Sequence, residues 1–228
     1  MMMKSKGLKY LVLSLFLLAS CSSLFVRSSA RHEFEEGLAL FNRGMYKVAI
    51  PHFEKAIDID PDYAKPHLYL GRSYLNLNMW VKAVPPLRSA WRLSPNETRK
   101  EMINVLIDAF LGAATSEFTK GNYGESVKYL KEGLELSPES GEIKKELISS
   151  LLVLGSKLFS EGKLDEALSA FSEALEFAPD NSDAYIGIAK ILLRKGDYLE
   201  AIKTVNKALS LDPDNQAALS LFKKMLQR

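Results

Sequence analysis

The chain has 228 residues, 47% of them hydrophobic and 25% charged, with 30 Lys and Arg against 28 Asp and Glu. That balance belongs to a folded globular chain and excludes a disordered or collagen-like one. Lys4, Lys6 and Lys9 account for the slight basic excess, leaving 27 basic against 28 acidic residues and no electrostatic footprint for nucleic acid.

The first twenty residues read as a signal peptide rather than part of the fold. Three lysines are followed by a short apolar run, Tyr10 to Leu18, too short to span a bilayer comfortably. Leu18-Ala19-Ser20-Cys21 closes it and resembles the lipobox of bacterial lipoproteins, in which cleavage precedes the cysteine and the thiol is lipidated. The resemblance implies Cys21 as the lipidation site and a protein held in the bacterial cell envelope by palmitate-like acyl chains. Ser22 after the cysteine resembles lipoproteins that reach an outer membrane and face the periplasm. In a host without one, the anchor would be the outer face of the cytoplasmic membrane. Residues 21–30 form the lipidated cysteine and a short polar tether. Cys21 is the only cysteine, so no disulfide framework and no multi-cysteine metal site are expected.

From residue 31 to residue 228 one phrase keeps returning. Gly162 to Asp180 reappears as Gly196 to Asp214, 34 residues on, with a bulky residue after the glycine, then an alanine, then a closing proline. A period in the thirties with helical spacing inside it predicts stacked helical hairpins. Approximate repeats cover 30–63, 64–97, 98–140, 141–181 and 182–214, and Asn215 caps a last helix within 215–228. Gly44, Asn78, Gly121, Gly162 and Gly196 should end first helices in a left-handed conformation. Pro61, Pro95, Pro138, Pro179 and Pro213 should stop the second helices. Ala49, Ala83, Ala167 and Ala201 mark close helix approach, while Phe53, Leu87, Leu130, Phe171 and Val205 fill the space between hairpins.

Two departures stand out. Pro51 and Pro85 fall inside second helices, which should therefore begin late or bend. The spacing from closing proline to the next first-helix glycine is 10 residues in the second repeat and 17 in the fourth. If Leu111-Gly112 is the Leu-Gly pair of the third repeat, the same lengthening occurs there. Two long first helices are thus expected, near Glu97–Lys120 and Glu139–Glu161, projecting by about 10 Å at 1.5 Å per residue. Their extra turns would leave Met102, Ile103 and Val105 in need of cover.

The pattern of His67, Leu70-Gly71, Tyr74, Ala83, Leu87, Ala90 and Pro95 resembles the tetratricopeptide repeat. The resemblance implies an all-α, right-handed superhelical solenoid of about five hairpins plus a C-terminal capping helix. In that family first helices build a concave binding face. The corresponding positions here are Phe34 and Phe41, Leu68 and Leu75, Leu111 and Phe118, Leu152 and Phe159, and Ile186 with Leu193. Residues seven apart lie nearly on one side of a helix, so these apolar pairs form a stripe that is either groove or packed core. Arg72, Asn76, Lys190 and Arg194 would supply its polar edge. Phe34 and Leu38 stand where the family's clamp for acidic C-termini has Lys and Asn, so that clamp is not expected.

No catalytic site, metal site or cofactor is expected. His32, His52 and His67 are scattered, no glycine-rich phosphate loop occurs, and Asp165-Glu166 suits the first turn of a helix. His67 reads as packing and His52 as solvated. The leading function is a membrane-anchored protein-interaction scaffold or assembly factor that holds a peptide or helix of an envelope partner. The alternatives are a structural subunit of a pilus, secretion or wall-assembly complex, and a ligand carrier or enzyme accessory.

Overall fold

The computed structural model of the chain describes residues 28–227, so the signal peptide, Cys21 and most of the tether lie outside the described residues. Helix α1 covers 28–42, followed by α2 (Tyr46–Ile59), α3 (Ala64–Asn76), α4 (Trp80–Leu93) and α5 (Asn96–Thr119). Then come α6 (Tyr123–Leu136), α7 (Gly141–Ser160), α8 (Leu164–Phe177), α9 (Ser182–Lys195), α10 (Tyr198–Leu211) and α11 (Gln216–Leu226). These eleven helices of the described residues pack as sequential hairpins, the expected all-α fold. The chain forms two compact units, one ending at Ala109 and the other starting at Phe110, with α5 begun in the first and finished in the second.

The turns inside hairpins repeat one device. Gly44, Gly121, Gly162 and Gly196 have φ between 74° and 90°, and Asn78 has φ 56°. The amide after each bonds back to a carbonyl five residues earlier: Met45 to Leu40, Met79 to Tyr74, Asn122 to Glu117, Lys163 to Leu158 and Asp197 to Leu192. That left-handed closure satisfies the carbonyls at the helix end. It also explains why α2, α4, α6, α8 and α10 start without a side-chain cap, since the residue that would cap is already closing the turn. Between hairpins the chain has more room, and Ser140, Asn181 and Asn215 do cap α7, α9 and α11.

Second helices are uniform at 14 residues each, and each ends one residue short of the dipeptide whose proline blocks it. Pro51, Pro85 and Pro86 do not delay them. Proline inside a helix costs about 3 kcal/mol through the lost amide and a clash with the preceding turn. Here Pro51 and Pro85 point to solvent, while the inner faces carry Ala49, Phe53, Ala56, Ala83, Leu87 and Ala90, all fully buried. Packing of that face offsets the local penalty. The long first helices do form, at 24 residues for α5 and 20 for α7 against 13 and 14 for α3 and α9. Met102 on α5 is only 2% exposed, so it needs no outside cover.

Size complementarity sets the spacing of helices. A Cβ at Gly71 would lie 2.4 Å from Leu87, one at Gly37 2.7 Å from Phe53, and one at Gly155 2.9 Å from Phe171. Seven residues before the left-handed turn, these positions face the bulky residue of the same hairpin. In the third repeat that place belongs to Ala114, not Gly112, and in the fifth to Ala189 beside the smaller Val205. The two extra residues before Gly121 are thereby explained: the Leu-Gly pair there is an accident of sequence.

Phe171 also meets the next hairpin, since a Cβ at Gly187 would stand 2.5 Å from its ring tip. The ring cannot retreat, because Gly155 presses from the other side. Gly187→Ala is expected to cost about 1–3 kcal/mol by overpacking. Chemical denaturation of the variant checks this, and an unchanged midpoint would show that the ring is free to move.

Two polar sites in the first unit are held by hydrogen bonds. Glu33 accepts from Lys55 and from His52 Nδ1 at 3.1 Å, and the Lys55 bond is the main cause of a carboxyl held below its ordinary range. His52 is thus hydrogen-bonded to Glu33 rather than a freely solvated ring. His67 is buried, with Nε2 on the Pro61 carbonyl at 2.9 Å.

Candidate functional site

In the second unit α7 packs against α9 as well as against α8, which aligns two first helices side by side. Period 34 places α11 next in that series, two helices beyond α9. Their common side holds two adjoining concavities of about 520 and 240 Å³, which share Phe159 and Lys190. The larger is walled by Leu152, Val153 and Ser156 of α7, by Asp183, Ile186 and Gly187 of α9 and by Ala217 of α11, with Phe171 at its base. The smaller adds Leu193 and Arg194 of α9 and Leu221, Lys224 and Met225 of α11. Leu152, Val153, Phe159 and Leu193 are half-buried, so their apolar surface forms part of the wall. Ile186 is only 3% exposed and contributes chiefly to the core with Ala189 and Val205.

Arg194 is partly committed. It donates through one terminal guanidinium nitrogen to the Phe159 carbonyl at 2.9 Å and lies 5.1 Å above that residue's ring. It thereby satisfies a carbonyl at the end of α7, as a cation at a helix C-terminus does. Ser156 donates to the Leu152 carbonyl of its own helix, so its hydroxyl is not poised for chemistry.

The other residues of the stripe are arranged differently. Phe34 is 3% exposed and sits in a core cluster with Ala49, Phe53 and Leu70, its ring edge-on to Tyr63 and Tyr69 at 5.4 and 5.6 Å. It is a core residue, because α1 is covered by those tyrosines. Phe41 is half-buried, edge-on to Tyr46 and Tyr69 at 5.1 Å each, and Arg72 lies 5.7 Å over it. Leu68 and Leu75 are half-buried on α3, and the Asn76 amide donates to the Arg72 carbonyl at 2.8 Å. Phe118 is half-buried against Tyr123 with ring centroids 5.0 Å apart, and Leu111 is half-buried one turn before Thr115. The structure therefore gathers Leu152, Phe159, Ile186, Lys190, Leu193 and Arg194 at one cleft and leaves the remaining eight elsewhere.

Sequence reasoning missed the α11 wall. Lys224 of that last helix lines the smaller concavity. The signal was present: Ala217, Leu221 and Lys224 stand 34 residues after Asp183, Gly187 and Lys190. A last helix in the same register as a first helix inherits its inner face.

Three family profiles match the chain, two described as tetratricopeptide repeat over residues 158–226 and 107–140 and one as TPR repeat over 37–78. With the repeating turns and the hairpin packing, they make this chain a tetratricopeptide repeat protein. No curated protein matches it. Among solved structures, a TPR repeats protein from Bacteroides fragilis is 16% identical, with 87% of this chain and 98% of that one covered and a TM-score of 0.55. YrrB, described as a TPR protein with an unusual peptide-binding site, is 22% identical over 84% of this chain and 90% of its own, with a TM-score of 0.37. The Thermus thermophilus protein TTC0263 is 21% identical over 88% and 100%, with a TM-score of 0.36.

Proposed function

We propose that this protein is a lipid-anchored interaction scaffold of the bacterial cell envelope, holding a peptide or helix of a protein partner in the cleft of α7, α9 and α11. The observation that carries this is the wall of half-buried Leu152, Val153, Phe159 and Leu193 beside cavities of about 520 and 240 Å³. A concave, mainly apolar site with a few polar groups at its edge is what binding sites look like. Binding rather than catalysis fits the lining, where no nucleophile faces a base. The lipobox-like run ending at Cys21 supports the anchor and the envelope location, on an outer membrane facing the periplasm where the host has one.

Leu193 and Val153 belong to none of the described core clusters, which makes them clean probes. The intact protein and a Leu193→Glu, Val153→Glu variant should be compared as baits on detergent-solubilised membranes. One stoichiometric protein partner is expected with the first and none with the second, at thermal midpoints within a few degrees. Equal capture by both would rule out this cleft. A fixed structural role in an envelope complex is a second reading, favoured by Tyr198 and Leu199 at the start of α10, 52% and 71% exposed. Loss of the partner on Leu199→Glu alone would decide for it.

A further inference from the structure

We infer that the cleft selects an acidic segment flanked by apolar side chains, and that α11 contributes to this selectivity through Lys224 rather than only closing the chain. The inference rests on the reading of the cleft as a partner site and names the chemistry of the partner. The smaller concavity carries Lys190, Arg194 and Lys224 and no acidic residue. Elsewhere in this unit several lysines are matched, Lys131 with Glu173, Lys163 with Glu161, Lys195 with Asp165 and Lys203 with Glu200, while Lys145, Lys207 and Lys223, which line neither concavity, have no such pair among the described residues. Lys190 and Lys224 have no carboxylate partner among the described residues, although each stands at the rim of an apolar floor. Uncompensated like charges on adjoining walls repel each other and attract an anion placed between them. Arg194 keeps its remaining N–H groups for the same ligand after one is spent on Phe159.

The cleft also has a direction. Its one acidic lining residue, Asp183, lies seven positions before Lys190 on α9, about 10 Å along the axis. Three residues of an extended chain cover that span at about 3.3 Å each. A bound segment would thus keep its carboxylates at the Lys190–Lys224 end, lay apolar side chains toward Phe159, Leu152 and Ile186, and keep carboxylates away from Asp183. A basic segment meets three cations and is rejected. These cations come from α9 and α11, whereas Phe34 and Leu38 occupy the places of the family's clamp.

A random dodecapeptide display library selected on the intact protein tests this. Peptides carrying Asp or Glu beside Leu, Ile, Phe or Trp are expected, net negative and weakened by rising salt. Their affinity should fall at least about tenfold for Lys190→Glu, Lys224→Glu, which alters only exposed side chains. Circular dichroism and the thermal midpoint of that variant should match the parent. Neutral or basic winners that Leu193→Glu still blocks would overturn the acidic selectivity and leave the cleft reading intact. Winners indifferent to Leu193→Glu, or no winners, would overturn both. Retention of phosphatidylglycerol vesicles but of no peptide, lost in the double lysine variant, would overturn the proposal in favour of a lipid surface.

Discussion

Phe171→Ala is expected to destabilise the second unit by about 3–5 kcal/mol. The ring is 4% exposed and sits between the glycines of two successive first helices, Gly155 on α7 and Gly187 on α9, with Ile191 and Ala167 in the same cluster. Truncation usually costs least where neighbours can collapse into the space. Here the two backbones that clamp the ring are at glycines, which bring no side chain into the vacated space. In a repeat protein each hairpin is held chiefly by its neighbours, so weakening one interface uncouples the hairpins on either side. Hydrogen exchange resolved by segment is the suitable measurement, because two compact units need not unfold together. Protection should drop across α7 to α9 and stay unchanged in α2 to α4. A uniform small loss of less than about 1 kcal/mol would show that the ring does not bridge these hairpins.

Cys21→Ala is expected to abolish acyl labelling completely and to leave an uncleaved precursor. Each buried methylene of an acyl chain contributes about 0.8 kcal/mol, so one chain gives a marginal anchor and several give a durable one. Alanine supplies no thiol to lipidate, and the run then lacks the cysteine before which a lipobox is cut. The variant should still sediment with membranes, since Tyr10 to Leu18 remains attached. Incorporation of labelled palmitate and the shift in apparent mass are therefore the informative readouts, not sedimentation. Normal labelling and normal processing in the variant would remove the lipoprotein reading.

Much of the fold was legible because its boundaries are local. A glycine or asparagine that must be left-handed and a proline that must end a helix act through their own backbone geometry. Hence Gly44, Asn78, Gly121, Gly162 and Gly196, together with the closing prolines, foretold eleven helices and the two long ones. The late start that the same local rule allowed at Pro51 and Pro85 does not occur, since burial of the opposite helix face outweighs the lost amide. The rule misled at Gly112, where the close approach belongs to Ala114.

The candidate site was legible only as a stripe. Phe34 and Phe159 lie on the same periodic pattern, yet Tyr63 and Tyr69 cover one and a cavity borders the other. By itself the sequence determined the repeat, the helix lengths, the turn geometry and the lipobox-like cysteine, because each rests on local backbone geometry or on spacing along the chain. Tertiary structure decided which part of the stripe borders a cavity, that Arg194 donates to the end of α7, and that α11 turns Lys224 into the cleft. Those outcomes depend on which side chains arrive from other helices, and no spacing within a single helix specifies its neighbours.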